Sequence, residues 1–135
     1  MTIISCFVIA ACTQSSTPAY AQLKCIPTSI ADCNVSTGEC NAIPIINLDG
    51  IVYLILDPDK SQAYSYKDEQ LFNSTQIDFW AGLNGRTLAG GHGTSRKQEA
   101  IVWSAAIDEA GKMSLSAVTH TESYLLTARC ELYAP

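Results

Sequence analysis

Four cysteines stand beyond residue 21, at positions 25, 33, 40 and 130, and they constrain the fold more than any other feature of this chain. An even number of cysteines in a small exported domain reads as a disulfide framework. Four cysteines allow three pairings. Cys33 and Cys40 are seven residues apart, with Gly38 between them to permit a turn, whereas Cys25 and Cys130 lie near the two ends of the remaining chain. The spacing predicts a local loop closed by Cys33–Cys40 and a first strand tied to the last by Cys25–Cys130. A zinc site is the alternative use of four thiols, but the C-x₂-C spacing of such sites is absent.

Disulfides require an oxidising compartment, and the N-terminal residues point to one. Residues 1–21 carry no charged side chain, and Ile3 to Cys12 is apolar except for Ser5. Ten residues are too few for a membrane-spanning helix, which needs roughly 20, but they suit the core of a signal peptide. Ala19-Tyr20-Ala21 supplies a small-x-small cleavage site. A second reading is open: Ile9-Ala10-Ala11-Cys12 has the form of a bacterial lipobox, with Cys12 lipidated and Thr13 to Pro18 as a tether. The expected organisation is therefore a signal over 1–21, or a lipoprotein signal over 1–11, followed by one domain over 22–135. The expected location is the periplasm or the exterior, or the outer membrane through a lipid anchor. No transmembrane span is expected.

Beyond residue 45 the apolar residues follow a strand pattern. Ile51 to Leu56 is a continuous β-favouring run, as in a strand buried on both faces or in a narrow barrel. Asp57-Pro58-Asp59-Lys60 is a turn, and Ala63 to Tyr66 a hairpin partner. Lys67 to Thr75 suggests a short helical turn. Thr75 to Ala81 alternates, with Ile77 and Phe79 on one face and Asp78 and Trp80 on the other. Gly82 to Gly93 holds five glycines and reads as a loop or bulged strand. Asp108 to Lys112 reads as a hairpin loop with Gly111 in the left-handed conformation. In the segments that follow, Met113, Leu115 and Ala117 share one face, and Tyr124, Leu126, Ala128 and Cys130 share another that belongs to the core. The stretch from Cys25 to Pro44 reads as disulfide-pinned loops. The sum is an all-β domain, a single small antiparallel barrel or sandwich stapled by two disulfides.

The net charge of −5 and scattered bases argue against nucleic acid as a partner. Candidate chemistry is sparse. Gly91-His92-Gly93 is a ligand-loop candidate, because glycines allow close backbone approach and histidine is a base or metal ligand. The competing reading is a solvated surface histidine. His120 is the second histidine, and with His92 and an acid it would form part of a hydrolytic or zinc site. Asp57, Asp59, Ser61, Ser65 and Asp68 have calcium-loop spacing, but Gln62 stands where such a loop needs glycine. Asn34 and Asn73 open glycosylation sequons, and Trp80 is either a surface anchor or cover for a sheet. No cofactor, catalytic residue or metal ligand is assigned.

Ser15 to Ala21, the cluster Cys25, Cys33, Cys40, the hairpin around Ile107-Asp108-Glu109-Ala110-Gly111 and the late Cys130 together resemble small periplasmic proteins of alphaproteobacteria without assigned function. More distantly, the layout is similar to the β-barrel inhibitors of c-type lysozyme, which also join early and late cysteines. Their inhibitory Ser-Gly, Tyr and Lys-Gly motif is absent here, so no inhibitory residue is carried over. A small stapled β domain with few titratable candidates and no reaction motif is expected to be a non-catalytic binding or inhibitor module that engages a protein or an envelope component. The alternatives are a small hydrolase or metal protein using the His92 loop, and a structural subunit of a surface assembly. Proteolysis of the oxidised protein without reduction should release Cys25 linked to Cys130 and Cys33 linked to Cys40; any other linked pair overturns the predicted framework.

Overall fold

The computed structural model describes residues 21–47, 50–95 and 97–134. Residues 1–20 of the expected signal segment, with the lipidation candidate Cys12, lie outside them. Nine strands follow in chain order: β1 (Leu23–Asn34), β2 (Cys40–Ile43), β3 (Tyr53–Asp57), β4 (Gln62–Lys67), β5 (Gln70–Leu83), β6 (Arg86–Thr94), β7 (Ala100–Ile107), β8 (Lys112–Val118) and β9 (Glu122–Leu132), with a 3₁₀ turn at Ile45–Asn47. From β3 to β9 each strand pairs antiparallel with the next, and β9 returns to β1. The result is a closed eight-stranded antiparallel barrel. Strand β1 meets β3 only over Leu23–Cys25, and β2 covers its later part at Ile30–Cys33. Closure removes the unpaired edges that an open sheet of this length would expose.

The β1–β9 seam is the longest pairing, running from Leu23↔Leu132 to Asn34↔Glu122. Cys25 faces Cys130 across it, and the two form a disulfide. Cys33 and Cys40 face each other in the β1–β2 hairpin and form the second. Both predicted pairs are present. Below the seam, Gln22 Nε2 donates to Asp57 Oδ2 at 2.6 Å, and Tyr133 N donates to Gln22 O at 2.8 Å. Asp57 is only 1% exposed and also accepts from Lys60 N. These bonds satisfy a carboxylate that would otherwise be costly to bury. On the outside, Lys24 lies over the Tyr53 ring at 4.5 Å, and that ring stacks on Tyr66, binding β1, β3 and β4 together.

Inward residues form cross-strand ladders. One runs Ile77, Gly91, Trp103, Ala117, Tyr124; the next runs Ala89, Ala105, Leu115, Leu126, Ile30. The tight core fills the end that carries Cys25–Cys130, with Leu56 and Met113 each 1% exposed. In the run Ile51–Leu56 only Ile55 and Leu56 are buried and Val52 is 51% exposed, so the strand belongs to a barrel wall rather than being covered along both faces. Leu126, Ala128 and Cys130 occupy the core face expected of them, and Gly111 has φ 79. A side chain at Gly111 would collide with the Cys130 carbonyl, 2.3 Å from its Cβ.

Four local expectations are corrected. The stretch from Cys25 is strand rather than loop; Pro27, which lacks an N–H, sits where the β1–β9 register shifts, so its missing donor costs little. Lys67 to Thr75 is a hairpin with no helical turn. Asp68 and Glu69 both take positive φ, the twist that matches paired strands. Asn84-Gly85 makes the same kind of turn, and the glycine-rich segment after it is the regular strand β6. Finally, a bulge between Ile77 and Phe79 shifts the alternation of β5 by one residue. Ile77 and Trp80 therefore pack inward, while Phe79 is 55% exposed. That corrects the predicted pairing of Ile77 with Phe79 and makes Trp80 part of the core rather than a surface anchor.

The two disulfides should differ in weight. In the loop-entropy account a bridge spanning 105 residues contributes about 4.7 kcal/mol and one spanning 7 residues about 2.4 kcal/mol. Urea denaturation of Cys25→Ser/Cys130→Ser should show roughly twice the loss seen for Cys33→Ser/Cys40→Ser. Equal losses would mean that closure of the barrel does not depend on its seam bridge.

Candidate functional site

The barrel end opposite the tight core is incompletely filled. Small inward residues explain the space. Ala63 and Ala117 leave space on its wall that larger side chains would fill, while Gly91, on the ladder beside Trp103, makes room for the indole. Gly91 has no alternative, since a Cβ there would lie 1.8 Å from the Gln76 carbonyl oxygen and 3.0 Å from Cε2 of Trp103. The Trp103 indole thus lies across the Gly91 backbone. The remaining cavity is about 260 Å³. Its deeper wall is apolar, built by Leu54, Leu56, Ile101, Trp103, Ala117 and Leu126. Trp103 is 6% exposed, yet its Nε1 has no hydrogen-bond acceptor among the described residues.

The rim carries the polar groups. The β6–β7 loop supplies Ser95 and Lys97, and the β8–β9 turn supplies Thr119 and Glu122. Thr119 is buried, and its Oγ1 accepts from the backbone N of Glu122 at 3.0 Å, which shapes the turn. Lys97 Nζ donates to Glu122 Oε1 at 2.8 Å, and the Tyr124 hydroxyl donates to Glu122 Oε2. These bonds from Lys97 and then Tyr124, outweighing desolvation, hold the Glu122 carboxyl below its usual value of 4.5. The strap joins the β6–β7 loop to β9 across the rim. Beside it, Thr121 Oγ1 donates to Glu99 Oε2 at 3.1 Å.

The sequence-derived candidates lie elsewhere. His92 points outward from β6, where its Nδ1 meets Asp78 Oδ2 at 2.6 Å. Its side chain is 60% exposed. Asp78 follows inward-facing Ile77 and lies on the outer surface, with its side chain 44% exposed. His120 sits in the β8–β9 turn with Glu99 as its neighbour at 3.9 Å. The two histidines therefore serve separate surface pairs. In Gly91-His92-Gly93 the inward flanking glycines shape the interior, and the histidine does not reach it. The calcium-spaced set disperses: Asp57 is buried at one barrel end, Ser65 lies within β4, and Asp68 turns at the other end. Among the described residues no three His, Cys, Asp or Glu side chains are grouped to hold a metal ion. Asn34 is exposed and caps its own turn through Oδ1, whereas the Asn73 amide bonds Thr94 O at 3.0 Å beside the cavity. No helix among the described residues is long and apolar enough to cross a membrane.

Comparison with known proteins finds no matching family model, no matching curated protein and no matching solved structure.

The strap has a defined pH response. Because folding lowers the Glu122 pKa, its contribution is present above about pH 4.5 and disappears as pH falls through the lower folded value. Lys97 is 65% exposed, so solvent screening limits this contribution to no more than about 1 kcal/mol. Glu122→Gln should lower stability at pH 7 by that order and by progressively less as pH falls below 4.5. A deficit that persists unchanged at pH 3 would show that the carboxylate charge is not what holds the rim.

Proposed function

We propose that this protein is an exported, non-catalytic binding module that holds one small, mostly apolar molecule inside its barrel. The cavity is the observation that carries this reading. Eight strands enclose an interior just wide enough for side chains or one small ligand, and here Ala63 and Ala117 leave part of that interior unfilled. The cavity opens at its rim, and its apolar inner wall favours an apolar occupant over water. By proportion to an engineered cavity of about 150 Å³ that takes up benzene, 260 Å³ suits roughly ten non-hydrogen atoms.

The two disulfides support an oxidising compartment, the periplasm or the exterior. In this reading the chain is released by cleavage after Ala21 or anchored through Cys12. An envelope component of low polarity is the fitting partner, and the acidic surface disfavours nucleic acid. The His92–Asp78 pair supplies no reaction centre, because it lies on the outer wall away from the cavity.

Titration with naphthalene should move the methyl resonances of Leu54, Ile101 and Leu126, which line the cavity. Those of Val102 and Leu132, 64% and 75% exposed on the outside, should stay in place. Ala117→Phe should remove the response by filling the space. Shifts confined to Val102 and Leu132, or no shifts at all, would refute interior binding.

A further inference from the structure

The cavity also records the chemistry of its occupant. Trp103 is more than nine-tenths buried, lines the apolar part of the cavity, and keeps an unpartnered Nε1–H among the described residues. An indole N–H is a donor only, and a buried donor left without an acceptor costs free energy. Its cross-strand neighbours offer no side-chain acceptor: Gly91 lacks a side chain, and Ala117 carries no polar atom. Resting on the interior-binding reading above, we infer that the occupant is a neutral, mostly apolar molecule with a carbonyl-type acceptor, a ketone, aldehyde, ester or lactone, seated against Trp103.

The surroundings narrow the class. A carboxylate at this depth would be a buried charge, and Lys97, the rim cation among the described residues, is engaged by Glu122. A hydroxyl would bring its own donor into the apolar wall and trade one unsatisfied group for another. A hydrocarbon would leave the indole N–H unpaired. A carbonyl oxygen accepts and donates nothing, which matches the single need of the site.

The test uses acetophenone and isopropenylbenzene, which share shape and size and differ in a C=O against a C=CH₂. The preference for acetophenone, as a ratio of dissociation constants, should fall roughly five- to tenfold in Trp103→Phe, the loss expected for one hydrogen bond. In the unsubstituted protein, acetophenone should move the Trp103 indole N–H resonance downfield, and isopropenylbenzene should not. Trp80→Phe identifies that resonance, so the reading does not depend on Trp103→Phe folding. An unchanged ratio or an unmoved resonance, with both compounds bound inside, overturns the acceptor inference alone. Failure of both compounds to bind overturns interior binding as well.

Discussion

Everything in this structure depends on the return of β9 to β1. An eight-stranded meander that failed to close would leave two long edges of unpaired N–H and C=O groups and an apolar face open to water. The seam is secured at several levels. Backbone pairing runs from Leu23 to Asn34, Cys25–Cys130 fixes its register, and Gln22, Asp57 and Tyr133 clasp the barrel end beneath it. The bridge matters most here because it joins residues 105 apart in sequence. A seam of such separation forms only at a large cost in chain entropy, and the covalent link reduces that cost.

Closure also creates the cavity. A barrel wall can converge fully only if its inward side chains are large enough to meet. At the Cys25–Cys130 end Leu56, Ile107 and Met113 do so. At the other end the ladder Ile77, Gly91, Trp103, Ala117, Tyr124 alternates large with small, and the space left over is walled by one indole and several aliphatic groups. The Lys97–Glu122–Tyr124 strap then holds the rim loops in place. Division of labour between a packed end and a hollow end gives the fold its rigidity and leaves a site that a fully packed core of the same length would lack.

The strands read most clearly where alternation ran undisturbed. Met113, Leu115 and Ala117 in β8, and Leu126, Ala128 and Cys130 in β9, face the side their sequence period demands. Reading failed where one residue reset the period. The bulge at Asp78 turned Phe79 outward and Trp80 inward, and nothing local in Gln76-Ile77-Asp78-Phe79 announces it. It also failed where turns used non-glycine residues in the left-handed region, as at Asp68-Glu69, since Asp favours such turns but Glu carries no signal for one. The site was the least legible part. His92 attracted attention by its chemistry, while the glycines beside it carried the structural consequence.

By itself the sequence determined the class of the fold, its two disulfides and the inward faces of its regular strands. Those follow from local period, turn chemistry and the count and spacing of cysteines, all of which act over a few residues or through covalent geometry. The tertiary structure alone decided that the sheet closes, that Gly91, Trp103 and Ala117 meet on one interior ladder, and that Lys97 reaches Glu122 across the rim. A cavity is a property of neighbours on different strands, and strand neighbours are set by register summed around the whole barrel. A single bulge anywhere in the circuit changes which side chains share the interior, so no stretch of sequence read alone could have specified it.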